Sequence, residues 1–161
     1  MGLIMDWING LKERIEEETQ RDAQKAEEIK RKEQAFSILF PELCDDFKSV
    51  FQRIKEVVGE ENASFNQEGN VLYFEVGQIE IILHGNSEIK IGALGSVDIS
   101  YSSEKGNVRS TKPPIKQLFL RGGEEPHWVY RDNHLGDDTL FKLEKEDVEN
   151  IFKYALSRYA K

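Results

Sequence analysis

Two runs of alternating apolar residues, 71–76 and 79–83, are separated by Gly77-Gln78. A Gly-X pair between such runs suits a two-residue type II′ hairpin, because glycine takes the positive φ of the first turn position without steric cost. That turn sets a register in which Val76 faces Ile79, Phe74 faces Ile81 and Leu72 faces Leu83. One face of the hairpin is then wholly apolar. The other carries Val71, Tyr73, Glu75, Glu80, Ile82 and His84.

Period-two patterning continues through the C-terminal half. It predicts strands at 63–66, 71–76, 79–84, 89–93, 97–101, 116–121, 127–131 and 140–143, punctuated by glycine- and asparagine-rich turns. Most of the intervening segments are too short for parallel crossovers, so the strands should form an antiparallel meander. Gly92-Ala93-Leu94-Gly95 reads as a turn between strands.

Helical spacing brackets the strands. Leu3, Ile4, Trp7, Ile8, Leu11 and Ile15 make a short apolar stripe, and residues 16–33 then turn almost wholly to charge. Glu17/Arg21, Glu27/Arg31 and Glu28/Lys32 are i,i+4 pairs in the favourable orientation, each adding a few tenths of a kcal/mol. A coiled-coil seam fails, because the series Leu11, Glu18, Lys25, Lys32 is polar after its first member. A second helix should begin at Pro41, with a break near Leu39-Phe40, since a proline disfavours helical backbone in the residue before it. Its stripe is Leu43, Phe47, Val50, Phe51, Ile54, Val57 and Val58, ending at Gly59. A final helix from about Glu144 presents Val148, Ile151, Phe152, Ala155, Leu156 and Tyr159, with acids at its start and bases at its end, as the helix dipole favours. The expected fold class is α+β: an antiparallel meander of six to eight strands packed against two N-terminal helices and one C-terminal helix. Residues 1–35 read as a charged appendage or interaction helix and 36–161 as one domain.

At 161 residues, with 39% hydrophobic and 10% aromatic content, the chain can bury a real core. The net charge of −8 disfavours nucleic-acid backbones and anionic membranes as partners. No apolar run approaches the ~20 residues that span a bilayer, no signal-peptide pattern opens the chain, and Cys44 is the sole cysteine. On these features a cytoplasmic location is expected.

Candidate chemistry is sparse. Glu75 and Glu80 oppose one another beside the hairpin turn and could share a proton, but a hairpin tip is wet. His84 is ~13 Å along the strand from Glu80, too far for a dyad. His127 and His134 lack zinc-ligand spacing. Asp132–Asp138 departs from a calcium loop, with His134 at its third position and Gly136 at its fifth. Cys44 sits early in a helix, but Asp45 and Asp46 oppose thiolate formation. No cofactor fingerprint or metal site is expected.

Aromatic residues are the remaining signal. If only one sheet face is covered, Tyr73, Ile82, Phe119 and Trp128 are candidates for a ligand or partner surface, flanked by Arg109, Arg121 and Arg131. Trp7, Ile8, Leu11 and Ile15 are candidates for a helix interface. The expected function is a non-catalytic protein-interaction module (adaptor, chaperone or neutralising partner) that binds a protein or a second copy. The alternatives are a small-ligand carrier and a hydrolase or isomerase using Glu75, Glu80 or His84.

Overall fold

The computed structural model describes residues 2–103, 113–123, 125–135 and 138–159. Arg109, the Glu104–Asn107 turn, Gly136 and Asp137 lie outside the described residues, and described side chains begin at Asp6. The chain divides into two compact units, Met1–Gln34 and Ala35–Lys161.

A single helix, α1, spans Gly2–Val58. The expected break near Leu39-Phe40 does not occur, so there is one N-terminal helix rather than two. Pro41 lies inside α1. A proline in a helix interior costs about 3 kcal/mol. The reason for continuity is the stripe that runs through it. Phe36, Phe40, Leu43, Cys44, Phe47 and Phe51 recur at helical spacing on both sides of Pro41, and all are buried in one core. Pro41 itself is exposed, so its ring points away from that packing. Burial of several large side chains, each worth about 1.5–3 kcal/mol, outweighs the local cost.

In the first unit, residues 6–34 are exposed apart from half-buried Gly10. The sequence pairing Glu17/Arg21 forms at 3.7 Å between exposed side chains, which makes its contribution small.

The second unit holds a seven-stranded antiparallel sheet in simple chain order. Its strands are β1 Ala63–Glu68, β2 Val71–Val76, β3 Ile79–Asn86, β4 Ser96–Ser103, β5 Gln117–Arg121, β6 His127–Arg131 and β7 Leu140–Lys142. The β2–β3 register is the expected one, with Val76 on Ile79, Phe74 on Ile81 and Leu72 on Leu83. Gly77 has φ 60° and no non-glycine residue among the described ones has positive φ, which matches a type II′ turn. The expected strand at 89–93 is absent. Only Lys90 and Ala93 pair there, as an isolated bridge, because Gly92 at φ 82° turns the chain back after Ile91.

One face of the sheet is covered. Helix α2, Lys145–Ala155, begins with a capping box in which the Glu144 and Asp147 side chains each accept the other's backbone N–H. Its Val148, Ile151, Phe152 and Ala155 join the α1 stripe over Leu72, Phe74, Ile79, Ile81, Leu83, Val97, Leu118 and Leu120. The Phe36 and Phe40 rings of α1 stack on one another at 4.9 Å. They sit over Gly85 and Gly95, where any added Cβ would collide with a ring.

Candidate functional site

Among the described residues, no helix lies on the other sheet face. Strand parity puts Tyr73, Glu75, Glu80, Ile82, His84, Asp98, Phe119, Arg121, Val129, Arg131 and Leu140 on it. Charge on this face is segregated. Glu68, Glu75 and Glu80 line a hollow on β1–β3 together with Tyr73. Arg121 and Arg131 lie at the opposite end, on β5 and β6.

At that basic end the segment 88–93 folds beside the sheet and encloses a groove of about 340 Å³. Lys90 and Ala93 exchange backbone hydrogen bonds of 2.9 and 3.0 Å, which closes a tight turn with Ile91 fully exposed at its tip. Phe119 and Leu140 line the groove with Val129, which this cover buries. The Arg131 guanidinium stands 5.9 Å from the Phe119 ring centroid, within cation–π range.

A larger groove of about 670 Å³ lies between the final turns of α1 and α2. Its lining is mostly apolar, from Val50, Ile54, Val57, Val58, Phe152 and Leu156. Val57 is 86% exposed despite its position on the apolar stripe. Arg53 and Glu149 pair at 2.9 Å on this groove's lining, and Tyr159 lines it as well while its hydroxyl accepts the Gln78 N–H at 3.0 Å.

The sequence candidates are not brought together. Tyr73 and Ile82 are a direct cross-strand pair, half-buried on the open face. Phe119 shares that face but lies on β5, opposite Ser96. Trp128 points the other way. It pairs with Leu120 on the covered face, is 8% exposed, and meets Phe36 edge-on at 6.1 Å. Its Nε1 is buried without an acceptor among the described residues. Trp7, Ile8, Leu11 and Ile15 are all exposed on the first unit's helix, Trp7 at 68%.

The candidate chemical groups are similarly dispersed. Glu75 and Glu80 pair across the hairpin, and Glu75 accepts a long 3.5 Å bond from the Ser64 hydroxyl. His84 faces Asp98 on the neighbouring strand. His127 Nδ1 lies 3.0 Å from the Glu125 carbonyl. Cys44 is buried in the core. Burial pushes its thiol up to about 11, with Lys48 acting to lower it and Asp45 to raise it further, which disfavours the thiolate at neutral pH. Among the described residues no group of three His, Cys, Asp or Glu is placed to hold a metal ion. No helix there is long and apolar enough to cross a membrane.

Sequence reasoning named Phe119, Arg121 and Arg131 of the basic groove, but not the 88–93 segment that encloses it, and it missed the larger groove. The apolar stripe at 50–58 is wider than one buried face requires, and that excess is a signal for the larger groove. Lys90 could not be added to the basic set from the sequence, because its segment lies far along the chain from β5 and β6. Comparison with protein-family models, with curated proteins and with solved structures finds no match.

Proposed function

We propose that the protein is a non-catalytic interaction module, an adaptor, chaperone or neutralising partner that takes an apolar helix face of a protein partner or a second copy. The observation that supports this most directly is the larger groove. Two helices present Val50, Ile54, Val57, Val58, Phe152 and Leu156 along a shared trough, the shape that an amphipathic helix fills. Contiguous exposed apolar surface of this kind marks interaction sites in globular proteins. The first unit adds a second such surface of its own, the stripe of Trp7, Ile8, Leu11 and Ile15. Among the described residues the cross-strand pairs Glu75/Glu80 and His84/Asp98 both lie on the open sheet face and neither lines this groove.

The test is light scattering on the full-length chain over a wide concentration range, alongside photo-crosslinking from positions 57 and 11 in extracts of the cell that makes it. Association through these faces gives a concentration-dependent mass increase or one discrete adduct, lost in Val57→Asp or Leu11→Asp. A chain that stays monomeric and yields no discrete adduct from either position overturns the proposal.

A further inference from the structure

The basic groove is anomalous for this chain. The protein carries a net charge of −8, yet Lys90, Arg121 and Arg131 line one small groove with Glu88 as its sole carboxylate among the described residues. None of the three cations has a carboxylate within ion-pair distance among the described residues. Like charges gathered without counter-charges raise the local potential and favour an anion.

The surroundings narrow the class of anion. Phe119 is flanked from two sides. Arg121 lies two residues along the same strand, ~7 Å away, and Arg131 reaches over the ring from β6. A guanidinium held over an aromatic ring by cation–π attraction can still present its N–H fork to a carboxylate's two oxygens. Phe119, Leu140 and the exposed Ile91 supply apolar surface next to those donors. A volume of about 340 Å³ is at the small end of the ~300–1,000 Å³ that ligand pockets span.

We propose that this groove binds a small organic acid, with its carboxylate between Arg121 and Arg131 and its apolar body over Phe119 and Leu140 beneath the Ile91 turn. This site is separate from the helix groove, so Val57→Asp leaves it intact and the two proposals fail independently.

The probe is 3-phenylpropionate, titrated into ¹⁵N-labelled full-length protein and followed by amide shifts and calorimetry. The uncharged control is 3-phenylpropanamide. The expected result is saturable shifts confined to β5–β7 and residues 88–95, with the amide at least about tenfold weaker. Losing one charge-assisted pair in Arg121→Gln or Arg131→Gln weakens the acid by roughly tenfold or more. Lys153→Gln, a distant surface change, leaves it unaltered. Both arginines are exposed, and unchanged thermal melts confirm that the variants fold. Equal binding of acid and amide, absence of saturation at millimolar acid, or wild-type affinity in both arginine variants overturns the proposal. So does saturable binding at these residues by an acetylated Glu-Phe-Glu peptide amide when 3-phenylpropionate fails, because the carboxylates then come from a protein segment.

Discussion

The Tyr130 hydroxyl donates a 2.8 Å hydrogen bond to Oδ1 of Asp147, while Oδ2 of the same carboxylate accepts the Glu144 N–H at 2.8 Å. One side chain therefore joins the sheet to the cap of α2. Burial first, then the bond to Asp147 and the charges of Asp147, Asp132 and Glu144, push the Tyr130 hydroxyl up to about 12 from 10. Burial also raises Tyr101. A folded-state value above the unfolded one means that the folded protein holds more protons between pH 10 and 12. Stability is fully present below pH 10 and falls as pH rises through 12. Urea titrations of wild type and Tyr130→Phe should show a shallower alkaline decline in the variant, with a loss of about 1 kcal/mol at pH 8 from the missing bond.

Phe74 is fully buried and its ring lies within 6.3 Å of those of Phe47, Phe51, Phe65 and Phe152. It touches both helices and two strands, so no single element can relax into the space it vacates. Phe74→Ala should cost about 3–5 kcal/mol, read from the urea midpoint at constant slope. A loss under about 1 kcal/mol would contradict this packing.

A Cβ built on Gly85 stands 2.7 Å from Cζ of Phe40 and 3.1 Å from Cζ of Phe36. Gly85→Ala should destabilise by about 1–3 kcal/mol through overpacking. Adding Phe40→Leu frees the space above the new methyl, so the double variant should lose less than the sum of the two single variants. Strict additivity would show that the helix does not sit this close.

Pro41 sits in the interior of α1 with its ring exposed. Pro41→Ala removes the helix penalty without touching the core and should stabilise by about 1–3 kcal/mol, less whatever rigidity the proline gave the unfolded chain. A destabilising result would indicate a true break at that point.

What was legible in the sequence was local. The β2–β3 register follows from a two-residue turn, which leaves no freedom in parity, and the α2 boundaries follow from acids and apolar residues within a few positions of one another. Pro41 shows where local rules give way: the proline forbids a helix only in isolation, and Phe36, Phe40, Leu43 and Phe47 on one sheet overrule it. Ile89 and Ile91 alternate like a strand, but Gly92 turns the chain back on itself after Ile91. Trp128 could not be assigned to a face, because the linker between β5 and β6 is long enough to permit either parity. The grooves depend on which distant segments meet, and no window along the chain contains that information.

Strand order that follows chain order has a consequence for synthesis. Each strand after β1, on leaving the ribosome, finds the neighbour that precedes it already made, and α1 is made before them all. The sheet can therefore grow outward from the β1–β2 hairpin without waiting for distant sequence. Helix α2 is the exception. Until it emerges, the Phe47 and Phe74 end of the core lacks its lid, and the nascent chain shows the greasy side of an otherwise assembled sheet. That interval is when a nascent-chain chaperone has the most to hold, and ribosome stalling just upstream of Glu144 would capture it.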